Sequence, residues 1–134
     1  MMTDLVFFYG TLMTGFARLG RSSIDQKLVL EGHGSIAAAL FDLGIYPGAI
    51  PAADSRVWGE VHRMLDDEAV LTALDEIEGY RPGKPDASLY TRVETPVTFD
   101  DGHVASAWVY FYNAPLGRAP RIESGDYLKH LGAK

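Results

Sequence analysis

The chain contains no cysteine. Disulfide staples, thiolate nucleophiles and Cys-ligated zinc are therefore excluded, and a reducing compartment, the cytoplasm, is the expected location. Positive charge is also scarce: 12 Lys and Arg stand against 18 Asp and Glu, for a net charge of −6. The basic residues never cluster, so there is no electrostatic footprint for nucleic acid. Long apolar runs are missing too. The run Leu5–Tyr9 is short, follows Asp4 and lacks a basic flank, so it reads as neither a signal peptide nor a membrane span. No two of His33, His62, His103 and His130 share a short metal-binding spacing; each reads as a surface or strand residue, and no metal is expected. Gly32-His33-Gly34 is too short for a dinucleotide fingerprint, and no serine sits in a nucleophile elbow. The sequence leaves the oligomeric state open.

What is present fits one domain spanning residues 1–134, without repeats or linkers. Leu5-Val6-Phe7-Phe8-Tyr9, ended by Gly10, reads as a strand buried on both faces. Thr11 to Gly20 reads as a loop with a helical turn. Leu28–Leu30 and Ser35–Leu43 read as strands around a flexible Gly32-His33-Gly34, and Gly44-Ile45-Tyr46-Pro47-Gly48 is turn chemistry. Arg56–Met64 alternates, with Val57, Gly59 and Val61 on one face. Leu89–Phe99 and His103–Tyr112, joined through Asp100-Asp101-Gly102, predict a hairpin. A short closing helix is expected within Ser124–Leu131. Strands with one clear central helix and mostly antiparallel hairpins imply α+β with a strongly curved sheet.

The central helix carries the sharpest local signal. Asp66 is a good N-cap, Asp67 and Glu68 suit the positive end of the helix, Gly79 stops it and Pro82 prevents its continuation. Val70, Leu71, Ala73, Leu74 and Ile77 form the apolar stripe. At about 100° per residue, Asp75 and Glu76 fall roughly 130° from the stripe's centre, towards solvent, and Glu78 only about 70° from it. Two readings of Glu78 stay open: a rim carboxylate whose head reaches water, or a functional one. In the last helical turn, the negative helix end and partial burial would both raise its pKa towards the range of a general base. Pairing with Arg81 or Arg92 would cancel that shift. A paired-carboxylate glycosidase site drawn from Asp75, Glu76 and Glu78 fits poorly, because two of the three point outward. Tyr9-Gly10-Thr11-Leu12 is the second feature: glycine permits close backbone approach, and successive N–H groups at such a turn bind anions.

These segments together resemble the γ-glutamylcyclotransferase-like family. The matching motifs are Tyr9-Gly10-Thr11-Leu12, Asp42-Leu43-Gly44-Ile45-Tyr46-Pro47-Gly48 and Val57-Trp58-Gly59-Glu60-Val61. Leu74-Asp75-Glu76-Ile77-Glu78-Gly79-Tyr80, Tyr90-Thr91-Arg92-Val93 and Ala107-Trp108-Val109-Tyr110 continue the set in the family's order. The resemblance implies a small barrel-like, mostly antiparallel sheet with surrounding helices. It implies a small-molecule γ-glutamyl substrate, cyclised to 5-oxoproline with release of an amine, with no cofactor. It assigns Glu78 as the acid/base and the Tyr9–Leu12 turn as the binder of the γ-glutamyl moiety. Tyr90 and Tyr110 match family tyrosines and line the pocket on one reading; on the other they are ordinary strand aromatics. Trp108, Tyr110 and Tyr112 share a strand face, and with that face turned into the barrel Tyr110 is the best-placed hydroxyl. The glutathione-degrading and γ-glutamyl-amino-acid branches tend to carry asparagine where this chain has Leu12; Tyr-Gly-Thr-Leu resembles the γ-glutamylamine branch. A non-catalytic binding domain of the same fold, or an enzyme acting on another amide or lactam, are the alternatives.

Overall fold

A computed structural model of the chain describes residues 3–10, 25–44 and 46–132. Five strands close into a barrel in the order β1-β3-β2-β4-β5, where β1 is Leu5–Phe8, β2 Leu28–Asp42, β3 Pro47–Met64, β4 Tyr90–Phe99 and β5 Val104–Tyr112. Every ladder is antiparallel except β1–β5, a parallel pairing at Val6–Trp108. Among the described residues two α-helices accompany it, α1 (Asp67–Glu78) and α2 (Tyr127–Gly132). The α+β, barrel-like class expected from the sequence is the fold observed.

The local signals translate directly. Asp66 caps α1 by accepting from the Ala69 N–H, and Gly79 ends it at φ 70°, where the Tyr80 N–H reaches back to the Asp75 carbonyl. The hairpin turns through Gly102, at φ 96°, and β4 and β5 pair from Thr98–Val104 to Tyr90–Tyr112. Phe7, Ile36, Val57, Val61, Val97 and Val109 are fully buried and form one core with Leu74 of α1.

Two strand boundaries differ from the sequence reading. The first concerns β2, which is continuous across Gly32-His33-Gly34, with only a register shift between Leu30 and Gly32. These glycines are where β4 packs rather than where the strand breaks. A Cβ on Gly32 would press on the Phe99 ring, and one on Gly34 would run into the Thr98 carbonyl, 2.5 Å away. The second concerns β3, which begins at Pro47 instead of Arg56. A proline in the first position of a strand donates nothing the ladder requires, so a residue read as part of the turn also starts the strand. The turn itself forms as expected: Gly44 sits at φ 103° and the Leu43 N–H donates to the Tyr46 carbonyl.

Among the described residues no helix is long and apolar enough to cross a membrane. The segment Thr11–Gly20, with its loop-and-helical-turn reading, lies outside the described residues, as do Thr11 and Leu12 of the glycine turn.

Candidate active site

Four separate elements meet at one end of the barrel. Tyr9 and Gly10 leave β1 there, and Pro47, Gly48 and Ala49 open β3 beside them. Tyr90 begins β4, and Tyr110 lies two residues before the end of β5. Tyr9 is buried and holds two strands at once: its Oη donates to the Tyr110 carbonyl at 2.6 Å and accepts from the Ala49 N–H at 3.2 Å. The Tyr90 hydroxyl donates to the Pro47 carbonyl at 2.9 Å, and its ring meets Tyr112 edge-on at 5.3 Å. Gly10 packs against Pro47 so closely that a Cβ there would lie 2.8 Å from the proline Cγ. A side chain at residue 10 would therefore push the two walls apart.

Glu78, the final residue of α1, is buried. Its carboxylate acts on both Tyr9 and Tyr110. Burial first, and then the Glu78 charge, hold the Tyr9 phenol far above its ordinary pKa, against a smaller lowering from the Ala49 N–H. The Tyr110 phenol is raised as strongly, by burial, by its bond to Asp75, by the Asp75 charge and lastly by Glu78, with Arg92 opposing. Both phenols stay neutral at any physiological pH. Glu78, Tyr9 and Tyr110 thus share one electrostatic neighbourhood, with Gly10, Pro47 and Tyr90 adjoining it.

One expectation about side-chain direction needs correcting, and two open questions are answered. Glu76 is exposed, as the helical projection has it, but Asp75 is largely buried, with only 13% of its side chain exposed. It accepts Arg92 in a two-point pair, Nε to Oδ1 at 2.9 Å and Nη2 to Oδ2 at 3.2 Å, and the Tyr110 hydroxyl at 2.6 Å. The projection treats the helix as facing solvent on that shoulder, whereas the β4–β5 hairpin covers it. Arg92 is accordingly committed to Asp75 and not to Glu78, and the Arg81 side chain is exposed. Finally, the Trp108–Tyr110–Tyr112 face meets α1 and Arg92, whose guanidinium lies 4.6 Å from the Trp108 ring centre. The fully buried face of β5 is the other one, with Ala107, Val109 and Phe111.

Sequence reasoning missed Asp75, Pro47 and Ala49. A signal for Asp75 was available: counting outward from the Asp100–Gly102 turn sets Arg92 directly opposite Tyr110. A helix lying on that face meets a cation and a phenol together. An open cleft of about 750 Å³ runs along the outer side of the same helix end, beside Thr72, Glu76, Tyr80, Arg81 and Lys84, and Glu78 is not in its wall. Among the described residues no three His, Asp or Glu side chains converge as a metal site would.

The gamma-glutamyl cyclotransferase, AIG2-like family model matches residues 6–129. The chain belongs to this family. It is 35% identical over 132 residues to the gamma-glutamylcyclotransferase family protein YtfP of Escherichia coli K12, covering 92% of this chain and 95% of that protein. A putative gamma-glutamylcyclotransferase of Vibrio cholerae is 33% identical over 130 residues, covering 97% of this chain and all of that one. The family fold is equally plain. The solution structure of E. coli YtfP superposes with a TM-score of 0.67 over 94% of this chain and 97% of YtfP. The crystal structure of YkqA from Bacillus subtilis superposes at 0.72 with 24% identity, this chain spanning 44% of its length. Of the γ-glutamylcyclotransferase motifs on described residues, those of Tyr9-Gly10, 90–93 and 107–110 meet at the tyrosine-lined end of the barrel and 74–80 lies on the helix beside it, whereas 57–61 pairs with β2 from Gly32 to Ile36.

Proposed function

We propose that the protein is a cyclotransferase that converts a γ-glutamyl amine to 5-oxoproline and the free amine. The substrate's own α-amino nitrogen attacks its γ-carbonyl carbon, a C–N bond closes the five-membered ring, and the original amide C–N bond breaks. Glu78 takes a proton from the attacking amine and delivers it to the leaving nitrogen, so the enzyme ends each cycle unchanged. Because the nucleophile belongs to the substrate, the chain supplies only position and proton transfer. Holding amine and carbonyl together draws on effective molarities of about 10⁵–10⁸ M. The acid/base step is worth about 10²–10⁴-fold. Backbone N–H groups of the Gly10–Leu12 turn would receive the substrate carboxylate or the oxyanion, where one donor contributes roughly 10²–10³-fold. Tyr90 and Tyr110 wall the γ-glutamyl pocket.

One observation carries this reading: Glu78 is buried at the negative end of α1, and its charge acts on the hydroxyls of both Tyr9 and Tyr110. Leu12 in place of asparagine favours an amine, rather than an amino acid or peptide, as the leaving group. The cysteine-free chain suits a cytoplasmic site of action. Incubation with a panel of γ-glutamyl amines, amino acids and dipeptides, followed by assay of 5-oxoproline, tests it. Release from the amines is the expected result. Binding without turnover across the panel would instead identify a binding domain built on the family fold.

A further inference from the structure

The Asp75–Arg92–Tyr110 group was not anticipated from the sequence, and its hydrogen-bond polarity is fixed by chemistry alone. A guanidinium has only donors, and Arg92 directs Nε and Nη2 at the two oxygens of Asp75. Asp75 is therefore an ionised carboxylate with nothing to donate. Its Oδ1 lies 2.6 Å from the Tyr110 Oη, so the single phenolic proton must sit on that line. The network is well held: the side chains of Arg92 and Asp75 are 15% and 13% exposed, and Trp108 and Tyr80 flank the guanidinium at 4.6 and 5.6 Å. At its other end, Tyr9 grips the Tyr110 backbone carbonyl. With its proton spent on Asp75, the Tyr110 oxygen has only lone pairs left to offer. It can receive an N–H; it has no hydrogen for a carboxylate or a carbonyl oxygen.

We propose that Asp75, clamped by Arg92, is a positioning residue that takes the Tyr110 proton and so makes Tyr110 the acceptor that recognises the substrate's α-amino group. This rests on the cyclotransferase reading above. An α-ammonium arriving between Glu78 and Tyr110 meets two acceptors with different tasks. Glu78 removes one proton, and the Tyr110 oxygen holds a second N–H. The lone pair freed by the first transfer is thereby left facing the γ-carbonyl. Tyr110 neither gains nor loses a proton during the step, in keeping with a phenol that burial, Asp75 and Glu78 all keep neutral. The resulting specificity is for γ-glutamyl amides over the same amides lacking the α-amino group, even though both carry the carboxylate.

The test is a ratio of affinities. In the Glu78→Gln background, which stops turnover, calorimetry measures a γ-glutamyl amine against its des-amino counterpart, the glutaric acid monoamide of the same amine. The amino ligand should bind at least about 10-fold tighter, as expected for a hydrogen bond to a charged group. Adding Tyr110→Phe or Asp75→Asn should lower that ratio about 10-fold while leaving the des-amino affinity unchanged. Asp75→Asn should add nothing once Tyr110→Phe is present, since it acts through Tyr110. A purely structural role would weaken both ligands alike, and either that result or an unchanged ratio overturns the proposal. If Asp75→Asn fails to fold, Tyr110→Phe, which keeps the ring and removes the acceptor, carries the test. Wild-type release of 5-oxoproline separates the two failures. With turnover present and the ratio insensitive, only this inference falls; with neither turnover nor binding of any γ-glutamyl ligand, the cyclotransferase reading falls and takes it along.

Discussion

The described part of the chain buries two glutamates, and their surroundings differ. Glu60, on β3, is 4% exposed and lies 3.0 Å from the Nε2 of buried His62, with exposed His33 at 4.0 Å from its other oxygen. Its surroundings are imidazoles, groups that can carry the opposite charge. Glu78, 8% exposed, shares its neighbourhood with two phenols whose single protons are already directed elsewhere, Tyr9 to the Tyr110 carbonyl and Tyr110 to Asp75. Neither phenol donates to Glu78, and both are raised in pKa by its charge. Burial alone therefore does not mark a general base. What sets Glu78 apart is its place in the last turn of α1, where the helix's negative end opposes a carboxylate, beside two phenols whose pKa values its charge raises.

The largest effect expected from this contrast is kinetic. Glu78→Gln should lower kcat by about 10²–10⁴-fold with ligand affinity largely kept, whereas Glu60→Gln should leave kcat within a few-fold. Equal kinetic losses in the two variants would erase the distinction, and an inactive Glu76→Gln with an active Glu78→Gln would overturn the placement of the acid/base. The second expectation uses the phenols. Their folded pKa values lie above the unfolded value of about 10, so the stability they contribute is complete below pH ~10 and is lost as pH rises beyond it. Each should cost about 1.4 kcal/mol per pH unit above that point. Denaturant melts from pH 9 to 11 measure this, and a flat profile would mean that neither phenol is sequestered.

Smaller effects concern packing. Glu60→Gln should destabilise the fold by about 1.5–3 kcal/mol, the usual worth of a buried hydrogen bond to a charged group, measured as a shift in chemical denaturation. A variant as stable as wild type would show that the Glu60–His62 pair contributes no net stability. Tyr9→Phe leaves the buried Ala49 N–H without its acceptor and should cost about 1–3 kcal/mol by the same measurement.

Much of this was legible because it is local. The caps of α1 and the β4–β5 hairpin depend on residues a few positions apart, and so does the burial of Glu78 beside an exposed Glu76. What failed depended on cover supplied from far along the chain. The helical wheel sends Asp75 to solvent because it contains nothing of the hairpin that closes over it. Strand alternation puts Glu60 opposite the face of Val57 and Val61, and nothing in β3 itself says that this second face is buried as well. Gly32 and Gly34 suggest flexibility because a missing side chain looks the same whether it frees the backbone or admits a neighbour. The roles of Glu78, Tyr90 and Tyr110 rest on the resemblance and await the measurements above.

The barrel is stitched unevenly. β4 and β5 pair along their whole length, yet among the described residues β4 pairs with β2 at Gly34–Phe99 and Ser35–Thr98 alone, and β5 with β1 at Val6–Trp108 alone. The hairpin is thus a leaf hung between two narrow seams, and the tyrosine cluster straddles them. Tyr9 reaches across to the carbonyl of Tyr110, and Tyr90 reaches back to that of Pro47. A molecule seated between the Tyr9–Gly10 turn and Tyr110 would rivet the leaf to the body of the barrel. Amide hydrogens along both seams would then exchange more slowly, and occupancy would be readable from the strands without any view of the ligand itself.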